Sequence, residues 1–268
     1  MSKAEKILVV DDEQVILDAV TRIASADGFD VDSANDALKA LDKISQKEFS
    51  LILCDIMMPQ VDGFTFLEEI QKRKISAPVI MITGYSTVEN AVKSLFKGAI
   101  DFVPKPFTFE ELNSSINRGI KFFKVQKGIE DAESRDDKSS ISFVTGPHKY
   151  KRLGNISWMN LESEGVAVIG AADLFLETIE KLVKIELMEI EQEIIQGDSC
   201  ATLLTEDELT HRLIAPVSGR IIECNSRIIK DINLLEKDPY FEGWIYKVIP
   251  SNIEYELKYL VPFASDRV

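Results

Sequence analysis

The sequence is poor in the residues that build several common kinds of site. It has 3 cysteines, Cys54, Cys200 and Cys224, and 2 histidines among 268 residues. Cysteines this few and this scattered exclude a disulfide framework and do not have the spacing of zinc ligands. His148 and His211 lie in no ligand motif, and each is predicted to be a surface or hydrogen-bonded residue. The sequence therefore does not indicate a disulfide-rich or zinc-binding protein.

Basic residues are in the minority, and long apolar runs are absent. The chain carries 31 Lys+Arg against 45 Asp+Glu, which gives a formal net charge of −14 and a pI near 4.7. Nucleic-acid binding needs a net basic face, which this chain does not offer. No apolar run reaches the roughly 18–20 residues of a membrane span, and Asp11 and Asp12 interrupt the first one, so no signal peptide is predicted. We expect a soluble, cytoplasmic protein that binds neither nucleic acid nor membrane.

Composition divides the chain into two domains. A run that reads KGIEDAESRDDKSS contains only two apolar residues. Such a segment buries too little surface to offset the entropy of ordering it, so a charged linker or a frayed helix end is predicted over 125–145. The predicted domains are therefore 1–124 and 146–268. The second carries 13 basic against 21 acidic residues, so neither domain is basic.

The two predicted domains differ in their apolar patterns. In the first, strand-like runs lie at 6–10, 29–31, 51–54, 79–82 and 100–103, and stretches with helical spacing lie at 14–26, 35–47, 64–73, 87–97 and 108–124. This alternation predicts an α/β fold, with a five-stranded parallel sheet that helices cover on both faces. The second domain has short strand-like pieces and one or two short helices near 171–181 and 231–235. Its pattern predicts a small, mostly-β sandwich or barrel.

Polar residues follow the predicted strands of the first domain, at the edge where an open parallel sheet binds its ligands. Asp11 and Asp12 follow the first strand, Asp55 the third, Thr83 the fourth and Lys105 the fifth. Three converging carboxylates repel one another unless a cation lies among them, and oxygen ligands favour Mg²⁺. Asp55 is well placed as a nucleophile towards a phosphoryl group. A hydroxyl at Thr83 and an ammonium at Lys105 would hold the other phosphoryl oxygens.

Residues 4–124 resemble a response-regulator receiver domain. The resemblance rests on VVDDE from Val9, CDIMMP from Cys54, Asp62-Gly63, Thr83-Gly84 and Lys105-Pro106-Phe107. It implies a flavodoxin-like sheet with the strand order 2-1-3-4-5 and a cis Lys105–Pro106 bond. It also implies that Asp55 accepts phosphate from the phosphohistidine of a sensor histidine kinase. Beyond promoting its own phosphorylation and dephosphorylation, such a chain is not expected to be an enzyme.

The same resemblance assigns roles to the remaining residues of this edge. The implied ligands of Mg²⁺ are Asp11, Asp12, Asp55 and the backbone carbonyl of Met57. Thr83 and Lys105 would contact the phosphoryl group, and Phe102 occupies the aromatic-switch position. Phosphorylation adds about −1.5 to −2 charge, which would draw Thr83 inward and vacate space that Phe102 fills. The surface formed by the fourth helix, fifth strand and fifth helix would then change.

Residues 148–262 resemble the H protein of the glycine cleavage system, a relative of lipoyl domains. The resemblance rests on VIGAADLFLETI from Val168, LVKIEL from Leu182, QGD from Gln196, APVSGRII from Ala215 with Asn225, and KDPY from Lys237 with GWIYK from Gly243. It implies two antiparallel sheets packed as a flattened barrel or sandwich. A hairpin of that fold presents a modified lysine.

The lysine that would carry lipoate is missing from this chain. Counted back from Pro216, its position falls on Glu208; counted forward from Gly197, it falls on Asp207, because one extra residue lies between. The hairpin reads TEDELT. Lipoate is attached by an amide to an amine, which a carboxylate cannot supply, so no lipoate cofactor is predicted. The acidic residues are interpreted as a solvated hairpin tip, with an acidic docking surface as the alternative.

Together the resemblances predict a two-component response regulator whose non-lipoylated output domain binds an unidentified protein partner. Output domains of this family most often bind DNA, but the acidic second domain has no basic recognition helix. Two alternatives remain: a regulator that docks on glycine-cleavage or lipoate-handling enzymes, and a structural adaptor with little phosphorylation control. The sequence also leaves open whether phosphorylation produces a homodimer.

Overall fold

The computed structural model describes residues 4–134 and 146–263. In the N-terminal domain, residues 4–134, the strands are β1 (Lys6–Val10), β2 (Asp30–Ala34), β3 (Leu51–Asp55), β4 (Val79–Thr83) and β5 (Asp101–Pro104). The helices are α1 (Gln14–Ala26), α2 (Ala37–Gln46), α3 (Gly63–Lys72), α4 (Val88–Phe96) and α5 (Phe109–Ser134). All strand pairs are parallel, in the order β2-β1-β3-β4-β5. The predicted α/β architecture and strand order are confirmed.

The central strands are buried on both faces. In β3, Leu51 and Leu53 pack with side chains of α1 and α5, whereas Ile52 and Cys54 pack with side chains of α2 and α3. Successive side chains of a strand point to opposite faces, so a continuously apolar strand requires a layer of helices on each side. Cys54 is fully buried and belongs to the core.

Helix α5 is longer than the sequence pattern predicts. It runs from Phe109 to Ser134 and so includes residues 125–134, where the composition predicted a linker or a frayed helix end. Residues 135–145, the rest of that predicted linker, lie outside the described residues. Although α5 is long, neither it nor any other helix in the described ranges is apolar enough to cross a membrane.

The C-terminal domain, residues 146–263, is mostly β, as predicted. Seven of its strands are β6 (Lys151–Leu153), β7 (Ser157–Leu161), β8 (Ala167–Ala171), β10 (Glu193–Ile194), β13 (Gly219–Cys224), β14 (Tyr246–Pro250) and β15 (Val261–Pro262). They form one antiparallel sheet in the order β10-β13-β14-β8-β7-β6-β15. The strands β9 (Leu182–Leu187), β11 (Ser199–Thr205) and β12 (Thr210–Ile214) form a second antiparallel sheet in the order β12-β11-β9. Short helices connect the strands: α6 (Asp173–Glu177), α7 (Ser226–Lys230), α8 (Leu234–Lys237) and α9 (Ile253–Glu256).

Residues from the C-terminal sequence motifs hold loops and sheets of this domain together. Asn225 is buried, and its Nδ2 donates to the backbone carbonyls of Glu242 at 2.8 Å and Trp244 at 2.7 Å. Gly170 lies against the indole of Trp158, where a Cβ would come within 2.7 Å of the ring. These contacts contribute to the packing of the domain and do not involve the hairpin.

The two domains pack against each other through α4. Val92 and Leu95 belong to the same buried cluster as the core of the C-terminal domain. Two glycines of that domain make room for them. A Cβ on Gly154 would lie 3.2 Å from Leu95 Cβ, and one on Gly197 would lie 2.6 Å from Val92 Cγ2. One face of α4 therefore completes the core of the other domain, and we call this contact the α4 interface.

Candidate functional site

Three carboxylates lie together at the carboxyl ends of β1 and β3, which are neighbours in the sheet. The possible ligand oxygens of Asp11, Asp12 and Asp55 all lie within 4.8 Å of one another. Asp11 is 2% and Asp55 4% exposed, whereas Asp12 is exposed to solvent. The structure thus brings together the three acidic residues that the sequence places at this edge. We call them the acidic pocket.

Lys105 contributes the positive charge of the acidic pocket. Its Nζ lies 2.7 Å from Asp11 Oδ2, 3.4 Å from Asp55 Oδ1 and 3.7 Å from Glu13 Oε1. Burial disfavours the charged ammonium, but the hydrogen bond and the charge of Asp11 together with the charge of Asp55 outweigh it, so the pKa of Lys105 is raised. The Lys105–Pro106 bond is cis, as the resemblance implies. Lys105 therefore remains charged between two carboxylates.

The two oxygens of the Asp55 carboxylate have different surroundings. Oδ2 accepts a hydrogen bond from the backbone N–H of Met57 at 3.0 Å. Oδ1 is buried and accepts no hydrogen bond from the described residues. In Asp11, by contrast, Oδ1 accepts the backbone N–H of Glu13 at 3.0 Å, yet burial still raises the pKa of this carboxyl group. Within the described ranges, Asp55 Oδ1 is thus the buried pocket oxygen that accepts no hydrogen bond, with Lys105 Nζ 3.4 Å away.

Gly63 brings helix α3 close to the end of β3. A Cβ at this position would lie 2.1 Å from the carbonyl oxygen of Asp55 and 2.9 Å from the Cα of Ile56. The backbone N–H of Gly63 also donates to the carbonyl of Ile56 at 2.9 Å. In the sequence Gly63 is only one residue of a motif, whereas in the structure it positions the loop that follows Asp55.

Thr83 and Phe102 lie on neighbouring strands beside the acidic pocket. Thr83 ends β4 and is fully buried, and its Oγ1 accepts the backbone N–H of Tyr85 at 3.2 Å. Phe102 lies opposite Met81 in the adjacent strand and packs, half-buried, against the core layer on the α3 side of the sheet. Phe102 therefore lies outside the pocket itself, on the strand that leads to Lys105.

The donor set of the acidic pocket fits a hard divalent cation. Three carboxylates within reach of one point provide oxygen ligands only, which suits Mg²⁺. A single ammonium at Lys105 offsets only part of their charge. The ion would be held by Asp11, Asp12 and Asp55. The backbone of Met57 lies next to this site, since its N–H donates to Asp55.

Two family models match successive parts of the chain. The model of the response regulator receiver domain matches residues 7–117, which include the whole acidic pocket, Thr83 and Lys105. The model of the glycine cleavage H-protein matches residues 148–264. This chain joins a response regulator receiver domain to a glycine cleavage H-protein domain. From here on we call residues 4–134 the receiver and residues 146–263 the H-like domain.

Curated relatives share the receiver with this chain. The transcriptional regulatory protein ZraR of Klebsiella oxytoca is 39% identical over 114 residues, which are 42% of this chain and 26% of that protein. The response regulator MprA of Mycobacterium bovis (strain BCG / Pasteur 1173P2) is 30% identical over 140 residues, which are 52% of this chain and 61% of that protein. Among solved structures, a CheY-like receiver domain protein from Methanospirillum hungatei JF-1 is 34% identical and covers 46% of this chain and 99% of its own, with a TM-score of 0.44. The chain thus spans only part of the length of these curated relatives.

The β11–β12 hairpin of the H-like domain contains the two residues that the resemblance assigns to the lipoyl-lysine position. Asp207 and Glu208 lie at its exposed tip. Thr205 Oγ1 donates to Asp207 Oδ1 at 2.5 Å, so this side chain closes the turn. Glu208 follows with a positive φ of 64°. Neither Asp207 nor Glu208 provides an amine at the tip of the hairpin.

Sequence reasoning missed the polar contacts between the receiver and the H-like domain. Arg212 on β12 donates from Nη2 to the backbone carbonyl of Phe102 at 3.5 Å. Lys121 on α5 forms an ion pair with Glu180 across the interface at 2.5 Å. These pairs are far apart in sequence, and no local pattern connects them.

The sequence-based prediction for His211 is wrong. His211 is buried in the interface at 5% exposure, and its Nε2 has no hydrogen-bond partner among the described residues. Burial, followed by the positive charge of Arg118, lowers the pKa of His211 to about 4. No local sequence signal marks this environment, because the receiver supplies half of it.

Proposed function

We propose that this protein is a cytoplasmic phosphorylation switch in which a sensor histidine kinase transfers a phosphoryl group to Asp55. The observation that carries the proposal is the convergence of Asp55 with Asp11, Asp12 and Lys105 at one strand edge. This constellation lies within the part of the chain that matches the receiver family. The only reactions that we propose for this protein are its own phosphorylation and dephosphorylation, and we propose no metabolic reaction.

The transfer uses the lone pairs of the Asp55 oxygen that accepts no hydrogen bond from the part of the chain that the structure describes. Asp55 Oδ1 forms a bond to phosphorus while the bond from phosphorus to the histidine nitrogen breaks, and the imidazole keeps that electron pair and takes up a proton. Lys105 holds a second phosphoryl oxygen by its charge, and the Thr83 hydroxyl holds a third. Mg²⁺ would supply charge neutralisation at Asp11, Asp12, Asp55 and the Met57 carbonyl.

The signal then reaches the H-like domain through β5. Turning the Thr83 hydroxyl towards the phosphoryl group requires it to give up the backbone N–H of Tyr85, to which it is bonded at 3.2 Å. Phe102 lines a cavity of about 160 Å³ between the domains, opposite Arg212 and Gly197. Movement of Phe102 towards Thr83 changes the wall of that cavity and the position of the backbone carbonyl to which Arg212 donates. Phosphorylation therefore loosens the α4 interface.

Protein binding is the output that the H-like domain supports best. Its motif residues maintain packing, and its hairpin has carboxylates where lipoate would be attached, so we propose that it carries no lipoate. Its acidity opposes DNA binding, although the relative ZraR is described as a transcriptional regulator. The match to the H-protein model favours one specific alternative, docking on glycine-cleavage enzymes. Formation of a homodimer on phosphorylation stays a prediction.

Affinity capture distinguishes these outputs. The full chain is immobilised with and without beryllofluoride and Mg²⁺, and bound proteins are identified. Recovery of glycine-cleavage or lipoate-handling enzymes only in the beryllofluoride state supports the alternative. Recovery of unrelated signalling proteins supports the general protein-binding output. Capture that is identical in both states contradicts phosphorylation control and supports a structural adaptor.

Magnesium should stabilise the receiver through the acidic pocket. At 100 times its dissociation constant, Mg²⁺ is expected to raise the free energy of unfolding by about 2.7 kcal/mol. Asp11→Asn should reduce this gain to near zero, because a buried anionic ligand is lost. The measurement is urea unfolding with and without Mg²⁺. Asp18→Asn is the matched control, because Asp18 lies on α1 and accepts a hydrogen bond from Gln14. In this variant, Mg²⁺ should raise the free energy of unfolding as much as in the wild type.

Phe102 should be required for the phosphorylation signal to reach the α4 interface. In the wild type, we expect beryllofluoride and Mg²⁺ to lower the amide protection of α4 by about tenfold or more. A change of this size corresponds to a decrease of over about 1.4 kcal/mol in the free energy of opening the domain contact. Phe102→Ala should show no such fall, while the exposed Phe109→Ala should behave as the wild type. Hydrogen exchange detected by mass spectrometry measures this. A normal response in Phe102→Ala would rule out this route.

A further inference from the structure

A second cavity lies between the receiver and the H-like domain, away from the acidic pocket. Its volume is about 220 Å³, and it lies between β5 and α5 on one side and β11, β12 and α6 on the other. At about 30 Å³ for each water in the liquid, this volume corresponds to several water molecules, or to one small ion with water. We call it the interdomain cavity.

Three buried polar groups in the wall of the interdomain cavity have no hydrogen-bond partner in the described part of the chain. They are Arg118 Nη1, Ser114 Oγ and His211 Nε2. The three residues are 2%, 3% and 5% exposed. Buried polar atoms without partners cost free energy, so three around one cavity indicate that a polar guest binds there. The receiver supplies two of these groups and the H-like domain the third.

The guest must accept hydrogen bonds. Arg118 already donates from Nη2 to the carbonyl of Ile100 at 2.6 Å and pairs with Asp101 at 2.9 Å, so the Asp101 charge is compensated. Its Nη1 can only donate, and the Ser114 hydroxyl and a protonated imidazole can donate as well. Glu111, also in the wall, accepts the backbone N–H of Thr108 with its Oε2 at 2.9 Å.

We propose that the interdomain cavity binds one small tetrahedral oxyanion, of the size of sulfate or phosphate, between Arg118, Ser114 and His211. Arg212 also lines the cavity and adds a second guanidinium charge. Because both domains contribute donors, the bound anion links them and stabilises the docked arrangement. The site is separate from the phosphoacceptor, and its donors come together without phosphorylation of Asp55.

Anion binding should be coupled to uptake of a proton. Without an anion, His211 is neutral near pH 7, because burial and then Arg118 lower its pKa to about 4. The charged groups around it are Arg118, Lys121 and Glu111 on α5, Asp101 on β5, Arg212 on β12 and Asp207 in the hairpin. An oxyanion beside Nε2 favours the imidazolium and raises this pKa. Affinity therefore rises as the pH falls.

Titration of the unphosphorylated full chain with sodium sulfate by calorimetry tests the site. Sulfate remains a dianion between pH 6 and pH 8, so a change in affinity reports on the protein. We expect one sulfate per chain and tighter binding at pH 6 than at pH 8, by up to about tenfold for each pH unit. Sodium chloride of equal ionic strength corrects for general screening.

Substitutions assign the binding to this cavity. His211→Gln should weaken sulfate binding at pH 6 and remove the pH dependence, while His148→Gln, at the exposed second histidine, should keep both. Ser114→Ala provides a milder change that keeps the interface and should weaken binding at both pH values. In the wild type, sulfate should also increase amide protection of β12.

Three results would overturn the proposal. One is the absence of saturable sulfate binding at either pH, which means that the cavity holds water only. Another is an equal loss of binding in His148→Gln, which places the anion elsewhere. The third is unchanged binding in both His211→Gln and Ser114→Ala. Since none of these results involves Asp55, they leave the proposed phosphorylation switch unaffected.

Discussion

Asp55→Asn should abolish phosphorylation of this protein. Incubation with Mg²⁺ and a small acyl phosphate is expected to add one phosphoryl group to the wild type, measured by intact mass. In the variant the rate should fall on the order of 10³-fold or more, because the amide oxygen is a poor nucleophile and removal of a nucleophile costs rates of this size. The fold should persist, since an amide oxygen can still accept the backbone N–H of Met57 that now reaches Asp55 Oδ2.

The matched control is Asp62→Asn, the same chemical change seven residues along the chain. Asp62 caps helix α3 by accepting the backbone N–H of Thr65 at 2.7 Å, and asparagine caps a helix equally well. Phosphorylation of this variant should match the wild type. Undiminished incorporation in Asp55→Asn would place the phosphoacceptor elsewhere. An equal loss in Asp62→Asn would mean that the loop geometry, and not the Asp55 carboxylate, limits the reaction.

Among the substitutions predicted for the receiver, Gly63→Ala should lower the free energy of unfolding the most. The added methyl would lie 2.1 Å from the Asp55 carbonyl oxygen and 2.9 Å from Ile56 Cα, and neither backbone atom can rotate away. Helix α3 must shift, which we expect to lower the free energy of unfolding by about 2–4 kcal/mol. Phosphorylation of Asp55 should slow as well, because the same shift moves the strand end that carries the carboxylate.

Gly128→Ala is the opposite case of the same substitution. Gly128 lies in α5, and a Cβ there meets nothing within 4 Å. Alanine should stabilise the helix by about 0.5–1 kcal/mol. Both tryptophans lie in the H-like domain, so receiver unfolding is followed by far-ultraviolet circular dichroism and H-like unfolding by tryptophan fluorescence. Equal stability of Gly63→Ala and wild type would contradict the close approach of α3 to β3.

The position of the acidic pocket could be predicted from the sequence because each residue directly follows a recognisable strand. Asp11 and Asp55 come after continuously apolar runs, and parallel strands place their carboxyl ends at one edge. The sequence could not show that Asp55 Oδ1 is the oxygen without a hydrogen bond. That depends on the turn after β3, which directs the Met57 amide to the other oxygen.

The α/β fold of the receiver and the mostly-β second domain were determined by the sequence itself, and the strand order followed from the resemblance to receiver domains. The two fold classes rest on residue types at short range, where apolar period and turn chemistry act. Only the tertiary structure decided how the domains meet. The contacts of Leu95 with Gly154 and of Phe102 with Arg212 join residues about 60 and 110 positions apart. The surfaces that carry these residues fit each other in shape and exclude water from the contact. Such surfaces exist only once both domains have folded.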